Sequence, residues 1–251
     1  MKLSFEKNHR TFKLLSLFAI AMGALEAIVV VYLRQIYYPE GFDFPLTLLS
    51  PRMLAVECTR EAATIVMLVS VAIMAGKDRL RRFACFLFAF AIWDISYYAW
   101  LKVLLDWPPS LLTWDVLFLI PVPWIAPVLA PLICSLTMIL LAAALIRLNE
   151  TGREVKNVLP EWGPALLGAA IILFTFVRDY SGIVIHGYLR RGVNSPNGER
   201  GLLETVTRYT PGDYQWGLFV LGEILILCTL VMLFRSAAAK KPDNPSCIVK
   251  P

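Results

Sequence analysis

Histidine is almost missing from this chain: His9 and His186 are the only two among 251 residues. That scarcity removes whole classes of chemistry. A haem b cytochrome needs paired axial ligands, usually imidazoles, and His9 precedes the first apolar run, so haem b is not expected. Zinc held mainly by imidazole fails on the same count. HExxH, GxSxG, P-loop and CxxC patterns are absent, which leaves no strong catalytic motif. The five cysteines, Cys58, Cys85, Cys134, Cys228 and Cys247, lack metal-type spacing. Four lie in apolar runs, where they read as small hydrophobes, and no disulfide is expected. Charge is also thin, at 17% of residues against about 25% in a soluble domain.

What fills the space is apolar. Hydrophobic residues make up 58% of the chain and the mean hydropathy is +0.64. Several windows of about 20 mostly apolar residues are each long enough to cross a ~30 Å hydrocarbon core. The expected class is therefore an all-α, polytopic integral membrane protein with about six transmembrane helices, near 13–36, 53–76, 83–105, 124–147, 162–188 and 214–235. The expected organisation is a cytoplasmic segment 1–12, a membrane domain 13–235 with outer loops 37–52, 106–123 and 189–213, and a disordered cytoplasmic tail 236–251. Segment 14–34 is too long for a signal-peptide core and ends without a small-residue cleavage site, so it should remain as the first helix.

Lys2, Lys7, Arg10 and Lys13, then "KDRLRR" at 77–82, then Arg147, Arg153 and Lys156, then Arg235, Lys240 and Lys241 all fall on one side of this topology. By the positive-inside rule that side is cytoplasmic, with both termini there and a bacterial cytoplasmic membrane as the expected location. The formal charge of +5 sits in short clusters between apolar runs, so it reads as a topology signal and not as a nucleic-acid footprint. Arg190, Arg191, Arg200 and Arg208 break the rule, in the longest outer loop, where Glu199, Glu204 and Asp213 balance them.

The stretch 111–146 would run about 54 Å as one helix, longer than a bilayer needs. Pro121, Pro123, Pro127 and Pro131 must break it. Leu111–Ile120 is expected as a short helix on, or dipping into, the outer leaflet. It reads either as a cavity lid or as an interfacial linker anchored by Trp107, Trp114 and Trp124.

Ionisable residues inside the spans are not scattered. Glu57, Arg60, Glu61 and Thr64 share one face of helix two in its outer half, and Asp94, Tyr97, Tyr98 and Lys102 share a face of helix three. Glu26, Arg178, Asp179 and Glu223 lie at middle or outer depth, and Asp115 follows Trp114 in the proline-broken segment as Asp94 follows Trp93. The inner halves of the spans hold no ionisable group except cysteine. A charge at the bilayer centre costs at least ~2.5 kcal/mol, so these residues should converge on a polar pocket open outward and closed below by an apolar plug. Each also has a plainer reading: Glu57 with Arg60 as a helix-packing ion pair, Tyr97 and Tyr98 as interfacial aromatics, His186 as an interfacial residue.

Three function classes stay open. The pocket binds a small amphiphile (lipid or quinone) or a cation, or the chain is the membrane subunit of a complex, docking an extracytoplasmic or membrane partner through its outer loops. Alternatively it is an enzyme acting on a lipid-linked substrate, with a carboxylate as general base or metal ligand and Arg60 or Lys102 on a phosphate. The third class is an ion- or proton-coupled transporter, weakened by the lack of an internal repeat and of polar inner halves. No cofactor is indicated beyond the chance that carboxylates hold a hard divalent cation. The lipid bilayer is the one certain partner class.

The topology is checked by single-cysteine labelling in whole cells. Ser110→Cys and Asn197→Cys should react with an impermeant thiol reagent from outside, and Asp78→Cys should not; the reverse pattern inverts the sidedness.

Overall fold

A computed structural model of the chain describes residues 2–150, 162–191 and 209–238. The outer loop expected at 189–213 and the tail expected at 236–251 lie largely outside them. In chain order the elements are α1 (Lys2–Tyr37), α2 (Pro51–Ala75), α3 (Arg79–Leu105), strands β1 (Trp114–Phe118) and β2 (Trp124–Pro127), α4 (Leu129–Glu150), α5 (Gly163–Arg191) and α6 (Trp216–Ala238).

Local chemistry sets the helix ends. Pro51 occupies the first turn of α2, where its missing N–H is no loss, and the Ser50 hydroxyl accepts the Met53 N–H at 3.3 Å. The Asp78 carboxylate likewise accepts the Arg81 N–H at 2.9 Å to open α3. At its other end α3 stops on Asp106 in the left-handed conformation, φ 52°.

Five helical spans are long and apolar enough to cross a membrane: Arg10–Tyr37, Pro51–Ala75, Arg79–Leu105, Leu129–Glu150 and Trp216–Leu233. In α5 the described apolar run Gly163–Arg178 is shorter. Their outward faces are as apolar as their packed ones, with Leu17 and Ile36 66% exposed and Met74 86% exposed. A surface of that kind suits lipid and not water. The protein is a mostly helical membrane protein.

The expected helix at Leu111–Ile120 is not formed. The chain makes an antiparallel hairpin instead, pairing Trp114 with Pro127, Asp115 with Ala126 and Val116 with Ile125, with a bulge between Val116 and Phe118. Two bonds extend the pairing, from Val128 N–H to the Thr113 carbonyl at 3.0 Å and from Leu129 N–H to the Leu111 carbonyl at 2.8 Å. The reason lies in the prolines on both flanks, which leave too short a run for a stable helix, while "WDVLF" and "WIAP" are rich in strand formers. The second strand takes residues 124–127 from the expected fourth span, so α4 begins at Leu129. The all-α expectation acquires one small sheet.

Helix α3 is the spine. It packs on α1, α2 and α4, while α4 also meets α6, and α5 packs on α6 and β2. Away from the hairpin two apolar clusters close the bundle. One joins Leu15, Ala19, Leu68 and Ala89 on α1–α3, and the other joins Ala84, Leu145, Leu148 and Leu233 on α3, α4 and α6. At the α5–α6 crossing, a Cβ on Gly222 would lie 2.7 Å from Ile172 Cγ1 and 2.8 Å from the Gly168 carbonyl oxygen. Only glycine permits that approach. Gly222→Val should therefore cost about 1–3 kcal/mol through overpacking, seen as a lower melting temperature in mild detergent. Gly217→Ala, on the same helix with no neighbour within 4 Å, should leave it unchanged or slightly raised.

Candidate functional site

The centre of the polar cluster is one guanidinium. Arg60 on α2 pairs with Glu26 on α1, donates from Nε to Glu57 Oε2 at 2.8 Å, and approaches Glu61 Oε1 at 3.9 Å. The α-helical spacing of three and four places Glu57 and Glu61 on either side of Arg60. Glu26 reaches them across the α1–α2 gap, and its other oxygen accepts the Thr64 hydroxyl at 3.2 Å. Glu57, Glu61 and Thr64 are buried. Three carboxyls around one guanidinium do not close the charge among themselves.

Glu61 has a second task. Both its carboxylate oxygens accept the Leu119 N–H, at 2.9 and 3.0 Å, which latches the end of β1 to α2. The other end of the hairpin is held by Arg34, whose Nη2 pairs with Asp115 Oδ1 at 3.3 Å. The Tyr98 hydroxyl donates to Asp115 Oδ2 at 3.2 Å. The Arg34 guanidinium lies over the rings of both Phe42 and Trp107, 4.3 and 3.8 Å from their centroids, an arrangement whose cation–π attraction is strongest away from water. Asp115 lies outside the spanning helices. Burial pushes its carboxyl up to about 6, against the pull of Arg34, the Val116 N–H and Tyr98.

Deeper in the bundle two carboxyls accept hydroxyls from α4. Ser135 donates to Asp94 Oδ2 at 2.8 Å, and Thr137 donates to Glu223 Oε2 at 2.7 Å. Two cavities meet beside them. A polar chamber of about 60 Å³ is lined by Glu26, Arg60, Glu61, Asp94, Tyr97 and Tyr98, with β1 residues Val116, Leu117 and Phe118 forming its wall on the hairpin side. An apolar groove of about 440 Å³ runs between α3 and α5 over α4, from Phe83 and Trp162 at one end to Phe118 and Trp124 at the other. Trp93, Asp94, Leu117 and Phe118 border both.

Not every expected residue joins. Lys102 is exposed and belongs to the end of α3, where its Nζ meets Asp106 Oδ1 at 2.7 Å and the Pro108 carbonyl at 3.3 Å. It serves the helix terminus, and its hydrogen bond, with its charge, holds the Asp106 carboxyl below the usual carboxylate range. Arg178 is exposed and lines neither cavity. The side chains of Asp179 and His186 lie outside the described residues. Glu223 lines the groove and not the chamber.

Sequence reading missed Arg34, because Asp115, Phe42 and Trp107 reach it only through folding. It also passed over Ser135 and Thr137. Two hydroxyls in an otherwise apolar run were the available signal. Among the described residues no three histidine, cysteine or carboxylate side chains are grouped to hold a metal ion. Compared with known proteins, the chain matches no family model, and no curated protein or solved structure is significantly similar to it.

Removing one member of a buried pair strands the other, at about 3–5 kcal/mol. Arg34→Met should therefore lower stability by that order at pH 7.5. The loss should shrink near pH 5, where Asp115, with its raised pKa, carries a proton and no longer needs a cation. Thermal melts of both proteins at the two pH values measure this; an equal loss at both would show that Asp115 is not the partner that matters.

Proposed function

We propose that the protein binds a small membrane amphiphile, seating its polar head at the chamber and its tail along the groove. The carrying observation is that the two cavities adjoin at Trp93, Asp94, Leu117 and Phe118. A polar recess beside an apolar trough of 300–1,000 Å³ is the usual form of a small-molecule site. On α3 the groove extends from Phe83 to Asp94, about 16 Å at 1.5 Å per residue, close to half of a ~30 Å hydrocarbon core. That length suits a single chain.

The same geometry weighs against a phosphate-bearing head. Both arginines already face carboxylates, Arg60 those of Glu26 and Glu57 and Arg34 that of Asp115, with only Arg34 Nη1 left unpaired, away from both cavities, and Lys102 pairs with Asp106. At the chamber a phosphate would meet Glu26, Glu61 and Asp94 with only the already paired Arg60 to offset them among the described residues. An enzyme on a phosphate-linked lipid is thereby less supported than a binding protein. In this reading α5 is a sixth span, both termini are cytoplasmic, the membrane is a bacterial cytoplasmic one, and the hairpin caps the chamber from the outer side.

Native mass spectrometry of the protein purified in mild detergent, with metal analysis, tests the reading. A co-purifying amphiphile should be present in the wild type and depleted in Glu61→Gln and Asp94→Asn. A protein that carries no small molecule but arrives with a stoichiometric protein partner would replace this reading with a subunit role.

A further inference from the structure

The groove is not purely apolar: three of the residues that line it carry a buried polar atom without a partner. Trp93 Nε1, Trp124 Nε1 and Glu223 Oε1, all on groove residues, are buried and have no hydrogen-bond partner among the described residues. Trp93 is 5% exposed and Glu223 6%. A buried donor or acceptor left unpaired is expensive, by about the cost of the lost hydration. The three residues that carry them line a single cavity large enough for a ligand, although in the empty groove the atoms themselves are covered.

Around the hairpin end of that cavity the aromatic rings form an arc. Phe90 and Trp93 lie 5.2 Å apart, Trp93 and Phe118 6.5 Å, Phe118 and Trp124 5.5 Å, and Trp124 and Phe176 6.3 Å between centroids. Such walls favour a flat ring, which stacks on one face and meets edges on another. The α5 lip of the groove is open outward, with Leu166 68% and Leu173 40% exposed, and Phe83 on the α3 lip is 40% exposed. Entry is sideways, from lipid.

Resting on the amphiphile reading above, we propose that the occupant is a quinone or quinol with an alkyl or prenyl tail, its ring held in the aromatic arc at the hairpin end of the groove. A quinone ring carries two carbonyl acceptors, which the indole N–H groups of Trp93 and Trp124, covered in the empty groove, meet by turning toward it. Its reduced form carries hydroxyls for the Glu223 carboxylate, which Thr137 and Cys134 already approach. Other head groups fit less of this set. A fatty acid would bring a carboxylate against Asp94 and Glu223, an alkylamine would leave both indoles without an acceptor, and a plain alcohol has one oxygen for three partners.

The test is a titration of the full chain in lipid nanodiscs with 2-decyl-1,4-benzoquinone, reading adduct occupancy by native mass spectrometry. A saturable one-to-one adduct is expected. Trp93→Phe and Trp124→Phe keep an aromatic face but delete the donor, and each should weaken binding about tenfold, the size of one hydrogen bond to a buried group. Leu173→Trp, on the exposed lip where folding is little affected, should fill the mouth and abolish the adduct. The proposal is overturned if no saturable adduct forms, if both Trp→Phe variants bind as the wild type does, or if decanol displaces the quinone at equal concentration. The two levels separate cleanly. Decanol or an endogenous lipid that occupies the groove and is lost in Leu173→Trp, with no quinone adduct, would reject the head group and keep the amphiphile site. If neither quinone nor lipid binds and Glu61→Gln and Asp94→Asn change nothing, both readings fall.

Discussion

A guanidinium within the helices of a membrane protein is costly unless it is answered, and the carboxyls around Arg60 answer it. Glu57 and Glu61 come from its own helix and Glu26 from α1. The consequence reaches beyond charge. Helix α2 has a small packing surface, against α3 and marginally against α1, and much of its outer face is apolar and exposed. In lipid such a helix gains little from hydrophobic burial, since the surroundings are as apolar as its partners. The ion cluster is what assigns α2 its rotation and depth. A buried ion pair is weak evidence for net stability, but a wrong rotation of α2 would leave a charge in hydrocarbon, and that penalty selects one arrangement.

The same rule governs the backbone. An isolated two-stranded hairpin is marginal in water, and its outer edges would be costly next to lipid. This one is held by side chains at both ends. Glu61 takes the Leu119 N–H, Asp115 is gripped by Arg34 and Tyr98, and the buried β2 residues Ile125 and Ala126 anchor it to the bundle, Ala126 packing with Ile172, Phe176 and Phe219. The polar cluster and the hairpin therefore depend on each other. Without the hairpin Glu61 loses its donor, and without Glu61 the hairpin loses its latch.

The proposed site is a by-product of this mutual support. The chamber exists because the hairpin stands over α2 and α3, and the groove exists because α3 and α5 flank α4 with little direct packing between them. Every cation at the chamber is already committed to a carboxylate, so selection there falls on shape and on neutral hydrogen bonding more than on charge. That is the opposite balance from a phosphate site, in which free arginine or lysine does most of the recognition.

Sequence alone was enough for the membrane class and most of the spans, because long apolar windows are a one-dimensional signal. It was also enough to place Glu57, Arg60 and Glu61 on one face, since helical periodicity links near neighbours. It misjudged Leu111–Ile120, where proline was read as interrupting a helix and not as bounding a strand; the pairing partner that makes it a strand lies beyond a turn. It assigned Lys102 to the pocket because periodicity gives a residue's face but not how far the helix runs past the cluster. Arg34 and Asp115, 81 positions apart, could be joined only by folding, and so could the meeting of Trp93, Trp124 and Glu223 at one groove. Contacts between distant segments depend on how helices cross, and that is decided by shape and by the cost of leaving a polar atom unanswered in lipid.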